Sequence, residues 1–262
     1  MLELYHTATS TCSQKVRMTL AEKGVEFVSR NVNLRLNENL TPEYLKLNPN
    51  GVVPTLVHDG NVILDSSVIC EYLDEVFPQP RLGPDDAVGR AHLRKWLRFL
   101  EEVPTAAIRV PTFHMALKPF AGVDQETYRT ERADIRPLRK HFYRKMKSGG
   151  FSQDEIEASL DQLDLTLRRM EDALAKGPWL MGQQFSLADI VVIPTIDRLD
   201  DLGMAGMWRG YPGVTAWYAR IKARPSYVTA FYPGSRISQS GVTIAPLGGG
   251  ISQSTVRRKG GE

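Results

Sequence analysis

The residues best suited to chemistry lie near the start of the chain, where Ser10, Thr11 and Cys12 precede a helical pattern. The N-terminus of a helix carries unsatisfied N–H groups and a partial positive charge, and both stabilise a thiolate. A hydroxyl at the same place would donate a further hydrogen bond to that sulfur. The stretch therefore predicts a site for a reactive sulfur, in which either the Ser10 hydroxyl or the Cys12 thiol is the working group.

The same residues also have a purely structural interpretation. Serine is a preferred N-cap residue, so the Ser10 hydroxyl could serve only to cap the helix. Cys12 stands four residues before Val16, and Val16 four residues before Leu20, which is the spacing of one helix face. This register favours a Cys12 thiol that is buried in helix packing, and it ranks Cys12 behind Ser10 as the working group.

A proline interrupts a second apolar stretch, at Val53–Pro54. Proline has no N–H and is excluded from central strand positions, so an edge, a bulge or a cis peptide bond is expected here. A cis bond would turn the backbone N–H and C=O of Val53 toward solvent, where they could pair with an extended ligand. The alternative is an ordinary proline at the entry to a strand.

A third feature is Asp65-Ser66-Ser67, at a predicted strand-to-helix junction. A helix N-terminus can hold a carboxylate, while the Asp65 side chain can face an ammonium group. The junction could therefore bind the head group of an α-amino acid. The alternative is that Ser66 or Ser67 only caps the following helix.

The composition of the chain excludes several classes of function. The 262 residues are 42% hydrophobic and 24% charged, as in soluble globular proteins, and suffice for one large or two small domains. The net charge of +3 is too small to argue for nucleic-acid or membrane binding, and no apolar run is long enough to span a bilayer. The two cysteines, Cys12 and Cys70, form no disulfide framework and fit a reducing cytoplasm. We predict no metal site.

The first 77 residues alternate between strand and helix patterns. "LELYH" and "VEFVSRNVNL" read as strands on either side of a helix from Cys12 to Lys23, which Gly24 would end in a left-handed conformation. "VVPTLVH" and "NVILD" flank Asp59-Gly60, a dipeptide typical of a tight hairpin turn. A helix follows in "SSVICEYLDEVF". The predicted module is β-α-β followed by β-β-α.

The rest of the chain reads as helical. A Pro- and Gly-rich stretch at residues 78–86 is predicted to be a linker between residues 1–77 and a helical domain at 87–232. Ser152 with Glu155, and Ser186 with Asp189, have the spacing of helix-capping boxes. Residues 233–262 are rich in Gly and Ser and are predicted to be a flexible tail.

With these motifs in order, the chain resembles the glutathione transferase superfamily over residues 1 to about 232. The resemblance rests on "STCSQKVRMTLAEKGVEF", "LNPNGVVPTLVHDGNVILDSSVICEYL" and "LMGQQFSLADIVVIPTI" followed by "RPSY". It implies a thioredoxin-like N-terminal domain, an all-helical C-terminal domain and a homodimer. The motif "STCSQKVRM" is similar to the Ser-x-Cys motif of zeta-class transferases and of tetrachlorohydroquinone dehalogenases. The insert at residues 104–150 and "SSVICEYLDEVFP" are more similar to bacterial β-etherases, which cleave aryl ethers with glutathione.

The resemblance implies roles for single residues. Ser10 falls on the serine that stabilises the glutathione thiolate, and Cys12 on the motif cysteine, which would attack a glutathionyl adduct or mixed disulfide. Gly51 stands where many members place the Lys or His that meets the glycyl carboxylate of glutathione. The implied glutathione-binding residues are Thr11, Asn39, Asn50, Val53, Pro54, Asp65 and Ser66, with Asn39 or Asn50 as substitutes for the missing glycyl-carboxylate ligand.

The implied function is a glutathione transferase that activates the glutathione thiol for attack on an apolar, aromatic electrophile, by β-aryl ether cleavage or reductive dehalogenation. The alternatives are a zeta-like glutathione-dependent isomerase and a non-enzymatic binding or adaptor protein with the same fold. A second pocket for the electrophile is expected in the helical domain, with core packing as the alternative role of each candidate. These candidates are Phe113, His114, Met115 and Trp208.

Overall fold

The structure is a computed structural model that describes residues 1–117, 141–142 and 150–247. The N-terminal domain begins with strand β1 (Leu2–His6), helix α1 (Thr11–Lys23) and strand β2 (Val28–Asn31). Helix α2 (Pro42–Leu47), strands β3 (Thr55–His58) and β4 (Asn61–Leu64) and helix α3 (Ser66–Val76) complete it. The sheet order is β2-β1-β3-β4, with β2 parallel and β3 antiparallel to β1. This arrangement confirms the predicted mixed sheet with helices.

Helix α1 begins and ends where the sequence predicts. Ser10 is its N-cap, and Gly24 ends it with a φ of 62°, the left-handed conformation that glycine adopts without steric cost. Short helix α2 was not predicted, and β2 is shorter than the apolar pattern from Val25 suggested. The sequence pattern therefore locates the elements of this domain better than their ends.

In the described part of the second domain, the regular elements are helices, apart from an isolated β-bridge between Trp179 and Gly182. Its first half contains helices α4 (Ala87–Glu102), α5 (Pro104–Ala107) and α6 (Arg109–Thr112), followed by a π-helical turn (Phe113–Leu117). Its second half contains helices α7 (Gln153–Leu174), α8 (Leu187–Asp201), α9 (Pro212–Lys222) and α10 (Pro225–Ala230). Of the helices that the described residues form, none is long and apolar enough to cross a membrane.

The two predicted capping boxes are present. Ser152 and Glu155 cap α7, and Ser186 and Asp189 cap α8, with side chain and backbone bonded reciprocally in both. Asp189 is completely buried and also accepts hydrogen bonds from the Leu180 amide at 3.0 Å and from Trp217 Nε1 at 2.8 Å. Helix α8 is buried on nearly all faces, as its apolar sequence indicates. It forms the centre of the helical domain.

The sequence prediction of a flexible tail from residue 233 is wrong for residues 233–247. Ser235 is fully buried, Ile237 is 3% exposed, and Ile237–Gln239 form a turn of 3₁₀-helix. The Gln14 side chain donates to the Ser235 carbonyl at 3.0 Å, and the Ala245 amide to the Met115 carbonyl at 2.8 Å. Gly and Ser permit this irregular path, and contacts with both domains fix it. The rest of the predicted tail lies outside the described residues.

Candidate functional site

The sheet topology brings the three predicted motifs, around Ser10, Pro54 and Asp65, to the same edge of the sheet. This is the edge at which β1 and β4 end and β3 begins. Tyr5 near the end of β1 and Leu64 at the end of β4 both pair with Thr55 at the start of β3. Since β3 runs antiparallel to both neighbours, the loop after β1, Val53–Pro54 and Asp65 all leave the sheet at this edge. The fold therefore brings the Ser10–Cys12 motif next to two motifs that follow it in the sequence by more than forty residues.

A cavity of about 160 Å³ opens beside this edge, between the two domains. The N-terminal domain supplies one wall and the helical domain the other. The side from the N-terminal domain is lined by Thr9, Ser10, Thr11, Cys12, Leu34, Asn39, Gly51, Val52 and Val53. The opposite side is lined by Ile108, Arg109, Thr112, Phe113, Leu117, Arg198 and Ile237.

Ser10 caps helix α1 and faces the cavity at the same time. Its Oγ accepts a hydrogen bond from the Ser13 amide at 3.2 Å. This bond uses an oxygen lone pair, so the hydroxyl hydrogen is left to donate to another acceptor. The helix geometry also leaves the amides of Thr11 and Cys12 without intrahelical acceptors. Ser10 can thus cap the helix and stabilise an anion in the cavity.

Cys12 is half-buried and lines the cavity, whereas Val16 and Leu20 of the same register have 0% exposure. The prediction that Cys12 is buried in helix packing is therefore wrong. Its place in the first turn explains the difference, because the cavity rather than the core lies next to the start of α1.

The second cysteine, Cys70, is too deeply buried to react with a substrate. Cys70 is fully buried, and its sulfur accepts a hydrogen bond from Thr19 Oγ1 at 3.1 Å. Burial raises the pKa of the Cys70 thiol to about 12, with the Thr19 bond acting in the opposite direction. Of the two thiols, only Cys12 is positioned to react.

The Val53–Pro54 peptide bond is cis, which is one of the alternatives that the sequence left open at this proline. Val53 lines the cavity, and Tyr44 Oη and Asn48 Nδ2 fix the preceding residue by donating to the Val52 carbonyl at 2.7 and 2.9 Å. The loop before β3 is therefore held rigidly, with backbone atoms at the cavity wall.

The two asparagines proposed to meet the glycyl carboxylate are placed differently. Asn39 is fully buried at the cavity wall, where its Nδ2 donates to the Gly51 carbonyl at 2.7 Å. Asn50 donates its amide to Asn48 Oδ1 at 3.1 Å and does not line the cavity. The geometry supports Asn39 over Asn50 as a wall residue.

Helix α3 is capped by Asp65, and the alternative of a cap from Ser66 or Ser67 is wrong. Asp65 Oδ1 accepts from the amides of Ser67 at 2.9 Å and Val68 at 3.2 Å. Asp65 has a φ of 71°, a conformation that is uncommon outside glycine and concentrated at functional sites. Because the cap uses only Oδ1, the exposed carboxylate keeps its other oxygen for an ammonium group.

Ser67 takes part in a buried charged cluster below the site. Its hydroxyl donates to Glu101 Oε1, which also pairs with the Lys15 ammonium, and Lys15 donates to Thr105 Oγ1 at 3.2 Å. Burial alone would raise the pKa of Glu101, but Lys15 holds it below its usual range. The cluster joins helices α1, α3, α4 and α5, and so fixes the two domains around the cavity.

The predicted electrophile residues divide into one that lines the cavity and three that do not. Phe113 is on the wall. Met115, 4% exposed, and Trp208, 6% exposed with its ring 5.8 Å from that of Tyr218, pack in the core and are not among the residues that line the cavity. His114 Nε2 bonds the Leu247 carbonyl at 3.1 Å. Helical position alone did not distinguish core from wall.

Sequence reasoning missed more than half of the wall residues, and two of those missed come from parts of the chain where no site was expected. Arg198 comes from the last turn of the largely apolar helix α8, and Ile237 from the predicted tail. The arginine in the run "VVIPTIDRLDD" could have indicated Arg198 as a site residue, because a guanidinium in a buried helix needs polar partners. No local pattern marks Ile237, because its position depends on contacts with α8.

The family models match both domains. The glutathione S-transferase N-terminal domain model covers residues 9–76, and the C-terminal domain model covers residues 153–220. The chain therefore belongs to the glutathione S-transferase family, and glutathione is its co-substrate.

Individual relatives agree with this assignment. The chain is 31% identical to Protein LigF of a Sphingobium species, over 90% of this chain and 95% of LigF. The crystal structure of the β-etherase LigF superposes with a TM-score of 0.80 and covers 88% of this chain and 98% of that one.

Two further relatives are named for glutathione or for an aromatic substrate. The tetrachloro-p-hydroquinone reductive dehalogenase of Sphingobium chlorophenolicum is 27% identical over 87% of this chain and 95% of its own. A glutathione transferase structure from Burkholderia graminis, with two glutathione molecules bound per subunit, is 26% identical with a TM-score of 0.69. It covers 88% of this chain and 87% of its own.

Proposed function

We propose that this chain is a glutathione transferase that cleaves β-aryl ethers, with the Ser10 hydroxyl stabilising the glutathione thiolate. The cysteinyl part of glutathione pairs with the backbone of Val53, next to the cis bond to Pro54. The γ-glutamyl ammonium meets Asp65, and its carboxylate meets Ser66 at the N-terminus of α3. This pose directs the thiol toward Ser10 and the first turn of α1, where Thr11 also lines the cavity.

The thiol is activated by stabilising its anion. A cysteine-like thiol has a pKa of roughly 8.5, so a fraction of it is ionised at neutral pH. The Ser10 hydroxyl and the first-turn amides of α1 favour the charged form in a partly enclosed site. A single such donor is worth about 3 kcal/mol in comparable oxyanion sites. The observation that carries the proposal is the Ser10 hydroxyl, which caps α1 as an acceptor and faces the cavity as a donor.

The electrophile occupies the apolar part of the cavity, against Ile108, Phe113 and Ile237. The thiolate sulfur attacks the carbon that bears the ether oxygen. A C–S bond forms while the C–O bond breaks, and the leaving aryloxide takes up a proton to give a phenol. An aromatic ether fits this wall, and the likeness to the β-etherase LigF over almost its whole length supports that choice.

The test is single-turnover cleavage of a β-aryl ether by wild type, Ser10→Ala and Cys12→Ala proteins. We expect Ser10→Ala to slow the step about a hundredfold or more, because one preorganised donor is lost. Cys12→Ala should cleave at a rate close to wild type. Unchanged cleavage by the Ser10→Ala protein would overturn the assignment of Ser10.

A second candidate function, reductive dehalogenation, is favoured by the accessible Cys12 at the cavity wall. Glutathione thiolate would displace chloride from a chlorinated hydroquinone to give an aryl thioether. The Cys12 thiolate would attack the glutathione sulfur, forming a mixed disulfide while the ring carbon takes up a proton. A second glutathione would reduce the disulfide and leave as oxidised glutathione. Loss of chlorinated hydroquinone turnover in Cys12→Ala alone would identify this chemistry.

The two alternative functions, an isomerase and an adaptor protein, predict different results in the same assays. A zeta-like isomerase would turn over a maleyl diketo-acid with no net consumption of glutathione. An adaptor protein would be inactive on all three probes and would pass through a glutathione-agarose column. The intact set of Ser10, Pro54 and Asp65 argues against an adaptor, which has no need of it.

We infer that the protein acts as a cytoplasmic homodimer. The family resemblance supports the dimer, and the free thiols of Cys12 and Cys70 fit a reducing compartment. A dimer that unfolds to separate chains has an unfolding midpoint that rises with protein concentration, which a monomer does not show.

A further inference from the structure

The loop that carries Ser10 is held by guanidinium groups at three consecutive carbonyls. Arg17 Nη1 donates to the Thr7 carbonyl at 3.1 Å, and Arg17 Nη2 to the Ala8 carbonyl at 2.9 Å. Arg198 Nη2 donates to the Thr9 carbonyl at 2.5 Å. The loop between β1 and α1 is therefore fixed by charged hydrogen bonds, which are stronger than neutral ones.

The two arginines come from different domains. Arg17 belongs to α1, in the same domain as the loop, and its Nε donates to the Ala230 carbonyl at 2.9 Å. Arg198 belongs to α8 of the helical domain, is 5% exposed, and lines the cavity together with Thr9 and Ser10. The carbonyl that it binds is part of the Thr9–Ser10 peptide group. Arg198 is thus the contact from the helical domain to the backbone immediately before Ser10.

The Arg198 guanidinium is also held by Asp201, a residue of the same helix. Its Nε lies 3.6 Å from Asp201 Oδ2, and the same oxygen accepts from the Ile237 amide at 2.7 Å. Asp201 Oδ1 accepts from the Ser238 amide at 3.2 Å. Burial lowers the pKa of Arg198 to about 10, against the effect of Asp201, so the guanidinium stays charged at neutral pH.

We propose that Arg198 is a positioning residue for Ser10, whose guanidinium fixes the Thr9–Ser10 peptide plane and thereby aims the Ser10 hydroxyl at the glutathione sulfur. The inference rests on the proposed role of Ser10. The planar guanidinium reaches the Thr9 carbonyl and Asp201 with different nitrogens in a fixed geometry. A lysine ammonium is a single nitrogen on a flexible stem and cannot reproduce this arrangement, although it keeps the charge.

The first measurement compares wild type with Arg198→Lys and Arg198→Gln. The readouts are the ultraviolet absorbance of the bound glutathione thiolate as a function of pH and the single-turnover rate of ether cleavage. We expect both variants to raise the pKa of the bound thiol. Cleavage should slow by about tenfold to a hundredfold, because a small displacement of a reacting group lowers the rate by factors of this size. Glutathione affinity should change less than the rate, because Val53 and Asp65 are unaltered.

Arg220→Lys is the matched control. Arg220 Nη2 donates to the Pro178 carbonyl at 2.9 Å, so it is also a guanidinium that holds a loop carbonyl, but it does not line the cavity. This variant should keep the thiol pKa and the rate of wild type. An equal loss in Arg220→Lys and Arg198→Lys would show a general effect on folding and would overturn the positioning role.

A double-mutant cycle with Ser10→Ala separates the possible outcomes. If Arg198 acts through Ser10, Arg198→Lys should cause little further loss in a protein that already lacks the hydroxyl. The inference fails if the rate losses of Arg198→Lys and Ser10→Ala multiply in the double variant. It also fails if Arg198→Lys and Arg198→Gln cleave at the wild-type rate while Ser10→Ala is slow. In both cases the proposed function of Ser10 stands. If Ser10→Ala itself is as fast as wild type, the proposed function fails and this inference fails with it.

Discussion

At the scale of single residues, Ser10 shows that a structural and a chemical role need not compete. A hydroxyl has one hydrogen to donate and two lone pairs to accept, and the cap of α1 uses only a lone pair. The cap holds the side chain at the cavity wall, and the hydroxyl hydrogen remains available to donate there. The two interpretations that the sequence left open are therefore compatible.

His6, at the end of β1, gives a prediction about pH. Burial, with Arg17 as a second cause, lowers its pKa to about 4 from the usual 6.5. Arg17 Nη1 donates to Nδ1 at 3.3 Å, so Nε2 carries the hydrogen and donates to Ser29 Oγ at 2.7 Å. A proton on Nδ1 would face the guanidinium. The folded state therefore keeps His6 neutral where the unfolded chain takes up a proton.

We expect the folded state to lose stability as the pH falls from about 6.5 to 4, because the unfolded state then binds more protons. The shift corresponds to up to about 3 kcal/mol in the free energy of unfolding. Urea denaturation at several pH values should show this loss in wild type and a smaller one in His6→Asn. An identical pH dependence in the two proteins would mean that another group is responsible.

At the scale of elements, the segment at residues 233–247 contributes to the cavity wall although its sequence has no helix or strand pattern. Asp201 at the end of α8 accepts from the amides of Ile237 and Ser238. Arg236 pairs with Asp197 at 2.5 Å and Asp200 at 3.1 Å, on the same helix. The acidic end of α8 thus determines the path of this segment, which places Ile237 on the wall.

Deletion of residues 233–262 should raise the KM for the aromatic substrate by about tenfold, because the contacts of one buried aliphatic side chain are worth about 1.5–3 kcal/mol. The KM for glutathione should change little, since its proposed contacts lie in the N-terminal domain. Deletion of 248–262 alone is the control and should keep both values. Steady-state kinetics with each substrate varied in turn would measure them. Equal effects of the two deletions would contradict a role for Ile237.

At the scale of the whole molecule, helix α1 connects the two domains. It packs against α3 on one side and against α8 and α10 on the other. Lys15 of this helix is 1% exposed and pairs with Glu101 of α4. A buried ion pair contributes little net stability, but removal of one partner leaves an uncompensated charge.

Lys15→Met should therefore lower the free energy of unfolding by about 3–5 kcal/mol. The double variant Lys15→Met, Glu101→Gln should recover part of this loss, because the uncompensated carboxylate is removed while Ser67 keeps a hydrogen-bond partner. Urea denaturation of the three proteins would measure the coupling. Equal stabilities of the single and double variants would show that the Lys15–Glu101 pair is not the cause.

The sequence by itself determined the local features. The caps at Ser10, Ser152 and Ser186 and the end of α1 at Gly24 follow from interactions within a few residues, and all are present. The order of strands and helices also follows from local patterns, and the motifs together indicated the family. Each of these depends on backbone geometry that nearby side chains specify.

Only the tertiary structure decided which of these residues share a site. Cys12 faces the cavity rather than the core, Trp208 packs in the core rather than on the wall, and Arg198 reaches the loop of the other domain. Periodicity reports that a residue lies on a buried face, but it does not report what covers that face. The cavity wall is formed by contacts between residues far apart in the chain, so its members depend on how the two domains and the final segment pack.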